Sequence, residues 1–209
     1  VKGDFSGMKI ILDVGNGAAY RIAKGVFTKL GAEIVVINDV PSGTNINVKC
    51  GSTHPEILSK VVVGYDADFG LAYDGDADRL AFLTKHNNVK GDIMAILFSS
   101  AMKNPTVIGE VKCSQVMYDE INKRGKAIMY KTGHSNLKVM IAKTNADFAA
   151  EVSGHLFFND RYFGYDDAIY ATLRMIEMVK NGLDVDAEIA KLPVVYSTEE
   201  LKVETNEND

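Results

Sequence analysis

Asp74, Asp76 and Asp78 occupy alternate positions in Asp74-Gly75-Asp76-Ala77-Asp78-Arg79. Carboxylates this close repel one another, and the arrangement is costly unless a cation neutralises it. An EF-hand loop would need Gly at its sixth position and Glu at its twelfth. Arg79 and Lys85 stand there instead, so that loop is excluded. What remains is a three-oxygen clamp suited to Mg²⁺, an ion that keeps coordination sites for water or a phosphate. Arg79 adds a guanidinium able to grip a phosphate or carboxylate with two hydrogen bonds. The competing structural explanation is a solvated acidic turn.

A second group of reactive side chains lies in Glu151-Val152-Ser153-Gly154-His155. An acceptor, a hydroxyl and an imidazole around a tight turn suit the hydroxyls of a sugar. A Ser-His hydrolase is the rival, but Ser153 and His155 flank Gly154 too closely to assume triad geometry, and the chain has no G-x-S-x-G elbow. Lys131-Thr132-Gly133-His134-Ser135 places a histidine just ahead of a helix, where capping is the ordinary role. Lys112 follows an apolar strand. Gly15-Asn16-Gly17 falls short of the full G-x-G-x-x-G dinucleotide pattern and reads as a tight turn into a helix. The aromatics Phe157, Phe158, Tyr162, Phe163 and Tyr165 read mainly as core.

The elements that must position these residues follow from apolar periodicity. The spacing predicts a buried strand over 8–14, a helix over 18–30 ended by Gly31, and a second buried strand over 33–38, which together make one βαβ unit. A long polar loop over 39–53 precedes a helix at 55–63 with Pro55 in its first turn. A strand over 68–73 delivers the chain into the acidic cluster. A strand over 80–84 and a helix over 93–102 follow, and Lys103-Asn104-Pro105 reads as a boundary. The order then restarts: strand 106–111, helix 114–124, strand 127–131, helix 135–143, strands 148–152 and 155–158, helix 166–180. The two openings share one order of strand, acidic residue, Val, turn, helix, Gly and strand, which hints at duplication. The expectation is an α/β fold of two consecutive three-layer domains with mixed sheets, over 1–104 and 105–192. A tail over 193–209 contains the strand-like Leu201-Lys202-Val203.

Composition bounds the rest. The 209 residues are 46% hydrophobic and 24% charged with net charge −5. These values fit a folded soluble domain pair and exclude a disordered tail or a collagen-like fibre. The acidic balance argues against a nucleic-acid binder. No apolar run is long enough to span a membrane, and the first residues have no signal core, so no membrane partner is expected. Two cysteines, Cys50 and Cys113, make a disulfide framework unlikely to be needed and fit a reducing cytoplasm.

With these residues in view, the chain resembles the α-D-phosphohexomutase family. Asp74 to Arg79 is similar to that family's metal-binding loop, and Glu151 to His155 to its sugar-binding loop. Val111-Lys112-Cys113, Lys131 to Ser135 and Phe157 to Asp167 resemble its phosphomannomutase/phosphoglucomutase branch. Asn45-Ile46-Asn47 and Cys50 to Glu56 resemble its phosphoglucosamine mutase branch. The resemblance implies a reaction moving phosphate between O1 and O6 of a hexose phosphate, by way of a phosphoserine and a 1,6-bisphosphate. It implies that Asp74, Asp76 and Asp78 hold Mg²⁺, that Arg79, Lys112 and His134 are catalytic, and that Glu151, Ser153 and His155 bind the sugar. The family places Gly where this chain has Ala77. Family members have four domains, with a T-A-S-H-N-P-like phosphoserine loop in the first and an R-x-S-G/N-T-like loop in the fourth. Neither motif occurs here. The chain is therefore expected to be domains two and three, partnered by missing domains one and four and inactive alone, with mannose or glucose phosphate as substrate and phosphoglucosamine as the alternative. A non-catalytic sugar-phosphate or divalent-ion binding module is the reading from another class. A haloacid-dehalogenase-like phosphatase ranks third, because its D-x-D pair would end the first strand.

Overall fold

The computed structural model describes residues 4–194 and 196. The first half is built from β1 (Lys9–Asp13), α1 (Ile22–Lys29), β2 (Glu33–Ile37), α2 (Pro55–Gly64), β3 (Phe69–Tyr73), β4 (Leu80–Leu83) and β5 (Asn88–Val89). The second contains α3 (Gly91–Ser100), β6 (Thr106–Glu110), α4 (Gln115–Asn122), β7 (Lys126–Tyr130), α5 (His134–Thr144), β8 (Phe148–Ala150), β9 (Leu156–Phe158), α6 (Ala168–Lys180) and α7 (Val185–Ala190). The expected helix over 18–30 is a 3-10 turn, Ala18–Tyr20, running into α1. The two-residue β5 and the short α7 have no apolar period long enough to be read from sequence. The expected strand at Leu201-Lys202-Val203 lies outside the described residues.

Two mixed sheets form, ordered β2-β1-β3-β4-β5 and β7-β6-β8-β9. In the first, β1 pairs in parallel with β2 and β3, and β3 pairs antiparallel with β4. In the second, β6 pairs in parallel with β7 and β8, and β8 pairs antiparallel with β9. The four strands of the second sheet repeat the order and directions of β2-β1-β3-β4, and β5 has no counterpart. Parallel strands need both faces covered, and the side chains divide accordingly. Ile10 and Leu12 of β1 point into one core, whereas Ile11, between them, packs with Leu58 and Val62 of α2 on the other face. Likewise Val107 of β6 joins the first core and Ile108 packs with Leu137 and Ile141 of α5.

The first core runs through both halves. α3 packs against α4 and β8, and its Phe98 ring meets Phe148 and Phe158 at 5.6 and 4.8 Å. α6 packs on β4 and β9 at once, and Tyr73 Oη lies 3.1 Å from Thr172 Oγ1. A functional site shared between the halves therefore stands on one continuous apolar support. Both cysteines are buried in it or beneath the long loop, Cys50 1% and Cys113 6% exposed. Burial pushes both thiols up, Cys113 to about 12. The thiolate is the nucleophile, so neither should react with a disulfide reagent at pH 8 while the chain is folded. Two thiols should titrate once it is denatured. A native thiol reacting at the rate of free cysteine would overturn this.

Candidate active site

The carboxylate cluster sits where β3 ends. Asp74 is 1% exposed; its Oδ1 accepts the Arg79 N–H at 3.1 Å and its Oδ2 accepts Arg79 Nε–H. One oxygen each from Asp74, Asp76 and Asp78 lies within 4.8 Å of the others. Burial pushes the Asp78 carboxyl up; His155 opposes this and the charges of Asp74 and Asp76 add to it. The three carboxylates thus lie together as their spacing predicted, with negative charge that Arg79 and His155 offset only in part. The loop turns at Ala77, whose φ of 64° lies in the left-handed region. That conformation costs an L-residue roughly 1–2 kcal/mol and glycine almost nothing, which is a physical ground for Gly at this position.

The Gly15-Asn16-Gly17 turn seats this loop. Ala18 N–H donates to Gly75 O at 2.8 Å, and a Cβ on Gly17 would lie 2.5 Å from the same oxygen. The close approach of the Asp74–Arg79 loop therefore calls for a glycine here. Asp13, wholly buried at the end of β1, accepts N–H bonds from Gly15 and from Gly51, tying the long 39–53 loop to the same end of the sheet.

The second cluster meets the first. Arg79 and His155 form an antiparallel bridge, and Leu80 N–H donates to Gly154 O at 3.1 Å. Glu151 is 3% exposed. Its Oε1 accepts Gly133 N–H at 2.8 Å, and its Oε2 lies 2.6 Å from His155 Nδ1. Burial works against the Glu151 charge, but the bonds from His155 and Gly133 outweigh it and hold its carboxyl below the usual range. Ser153 Oγ lies 3.0 Å from His155 Nδ1. The other imidazole nitrogen, Nε2, stands 3.3 Å from Asp78 Oδ1. Burial alone would lower the His155 pKa; the Glu151 bond and the Asp78 charge raise it above the ordinary value. Glu151, expected as a sugar ligand, thus spends both oxygens on orienting the loop and its histidine.

His134 begins α5 and stacks on His155, with ring centroids 5.8 Å apart. Lys112 is exposed in the turn that follows β6. Sequence reasoning missed Asp166. Its side chain is 5% exposed, it pairs with Lys138 Nζ at 2.7 Å, and it forms a second cluster with Asp78 and His155. The only local signal was an Asp-Asp pair ahead of a helix, where Asp167 serves as the N-cap. A cleft of about 260 Å³ lined by Ala18, Ile22, Asp76, Asp78, Tyr165 and Asp166 opens beside these groups. Val152, by contrast, packs against the core.

With this geometry in hand, residues 2–88 match the sequence model described as "Phosphoglucomutase/phosphomannomutase, alpha/beta/alpha domain II", and residues 90–196 match domain III of the same series. A protein named phosphoglucosamine mutase from Fusobacterium nucleatum is 44% identical over 190 residues, covering 87% of this chain and 42% of the relative. One named phosphoglucomutase from Neisseria meningitidis is 37% identical over 205 residues, covering 94% of this chain and 45% of the relative. The crystal structure of a phosphoglucomutase/phosphomannomutase family protein from Burkholderia thailandensis superposes with a TM-score of 0.81 at 34% identity, covering 92% of this chain and 44% of that one. The chain thus spans less than half the length of these relatives.

Proposed function

This chain belongs to the phosphoglucomutase/phosphomannomutase family, of which it carries the alpha/beta/alpha domains II and III, and we propose that it is the middle part of an enzyme interconverting the 1- and 6-phosphates of a hexose. The observation that carries the reading is the junction of the two loops: His155 Nε2 stands 3.3 Å from Asp78 Oδ1, so the candidate cation clamp and the candidate sugar loop adjoin. We move the expected division, after residue 104, to ahead of α3, because that helix packs on β8 of the second sheet.

Asp74, Asp76 and Asp78 would hold Mg²⁺. When bound it would supply positive charge against a transferring phosphoryl group. Arg79 keeps Asp74 in place and edges the clamp. Glu151 holds the Nδ1 side of His155 and Asp78 faces its Nε2, so the imidazole would link the candidate sugar loop to the clamp and exchange a proton there with a sugar hydroxyl. His134, stacked on it, lies where it can contact the sugar. Ser153 presents its exposed hydroxyl beside it, and Lys112 offers a positive charge toward phosphate. The phosphoryl donor, a phosphoserine, would come from a domain outside this chain. No helix among the described residues is long and apolar enough to cross a membrane.

For the sugar, glucose or mannose is the first reading, on the resemblance of the Asn159–Gly164 stretch. Glucosamine is the second, favoured by the 44% identical relative and by the Cys50–Pro55 segment. Val152 cannot distinguish them, because its side chain packs on the core and not in the cleft. The full-length protein should interconvert hexose 1- and 6-phosphates, and comparing kcat/KM for glucose, mannose and glucosamine phosphates assigns the sugar. No conversion of any of them would sink the proposal. The 209-residue chain alone should show only background turnover, since the donor is absent; turnover surviving rigorous purification would mean that a residue of this chain is the donor.

The clamp can be tested on the chain itself. Mg²⁺ should bind weakly, lacking a phosphate ligand, and the thermal shift it gives should vanish in Asp76→Ala. Equal shifts in both proteins would remove the assignment.

A further inference from the structure

The main chain of the Glu151–His155 loop is held by few bonds. Glu151 N–H donates to His155 O at 3.0 Å and Gly154 N–H to Glu151 O at 3.0 Å, both within the loop. From outside, Leu80 N–H reaches Gly154 O and Gly91 N–H reaches Val152 O at 3.3 Å. One further bond comes from a side chain: Glu110 Oε1 accepts Val152 N–H at 3.0 Å. Glu110 ends β6, is 2% exposed, and precedes Lys112 by two positions. Its second oxygen, Oε2, is buried without a hydrogen-bond partner. A buried carboxylate oxygen in that state is costly, and no fold requirement calls for an acid at a strand end. The side chain has the length to reach Val152 from β6, and that reach is what the position uses.

We propose that Glu110 is a positioning residue: through Val152 N–H it holds the loop carrying Glu151, Ser153 and His155 in fixed register with the end of β6 and the Lys112 turn. The inference rests on reading that loop as the sugar-binding loop. Both main-chain polar groups of Val152 are then clamped, the N–H by Glu110 and the carbonyl by the start of α3. The Glu151 carboxylate next to it is thereby aimed at Gly133 N–H and His155.

Two substitutions separate reach from charge. Glu110→Asp keeps the charge and withdraws the carboxylate by one methylene; Glu110→Gln removes the charge and keeps an acceptor in place. Amide hydrogen exchange on the 209-residue chain reads the bond directly. Val152 should exchange about tenfold faster in Glu110→Asp and within about twofold of the parent in Glu110→Gln. Ile108 and Ile128, paired across β6 and β7, should be unchanged in both. Should Glu110→Asp not fold, Glu110→Met supplies the same loss of acceptor at near-equal length. Unchanged Val152 exchange in Glu110→Asp, or faster exchange in Glu110→Gln than in Glu110→Asp, overturns the proposal. In the full-length protein, Glu110→Asp should raise KM for the hexose phosphate about tenfold and Glu110→Gln should restore it. If exchange responds but KM and kcat do not, Glu110 holds a loop that is not the sugar site, and the assignment of the loop fails instead.

Discussion

In the full-length protein, Asp78→Ala should lower kcat for hexose phosphate interconversion by roughly a thousandfold, about 4 kcal/mol of barrier. Asp78 is the member of the clamp that also touches the second loop, through His155 Nε2. Removing it would take one of three candidate oxygens from a bound cation and one of the charges that raise the His155 pKa. The barrier to phosphoryl transfer is set by positioning and by neutralising charge, so the loss falls on kcat and not chiefly on substrate binding. The fold should survive, because the Asp78 side chain is 27% exposed and no backbone amide among the described residues donates to it, whereas Asp74 accepts the Arg79 N–H. Asp78→Asn keeps the shape without the charge and should lose nearly as much. Kinetics at saturating Mg²⁺ with far-ultraviolet circular dichroism as a fold control measure this. A kcat within tenfold of the parent would remove Asp78 from the clamp.

Much of this arrangement was legible in the chain because it is local. Asp74, Asp76 and Asp78 lie within one turn, so their spacing alone brings their carboxylates together. The buried strand Lys9–Asp13 announces itself as an apolar run leading into a glycine turn, and Thr106–Glu110 as one opening directly after Pro105. What spacing could not show is the meeting of distant segments. That Arg79 pairs with His155, that Gly17 must be bare for Gly75 to approach, and that Glu110 reaches Val152 are facts of packing between elements. Asp166 stayed hidden for the same reason: its neighbours Lys138 and His155 come from α5 and from the loop before β9. α3 carries apolar residues around most of its circumference, so its pattern marked a buried helix without saying which sheet it covers.

Gly154→Ala should destabilise the chain by about 3–5 kcal/mol, on the order of a 10 °C fall in melting temperature for a domain pair of this size. Three effects add. The residue sits at φ 97°, which an L side chain adopts only with strain. A Cβ would stand 2.3 Å from Leu80 O, a backbone atom that cannot rotate away. Relieving that clash pulls Gly154 O from the Leu80 N–H, a bond that joins the two loops. Gly182→Ala isolates the first effect, since its φ is 99° but a Cβ there meets nothing within 4 Å; it should cost only about 1–2 kcal/mol. Equal melting temperatures for the two variants would mean that the Leu80–Gly154 contact yields easily. A large excess in Gly154→Ala would mean that the approach of the two loops is stiff. That stiffness has a chemical use: a proton carrier on one loop can serve a cation clamp on the other only if the gap between them does not fluctuate by more than a fraction of an ångström.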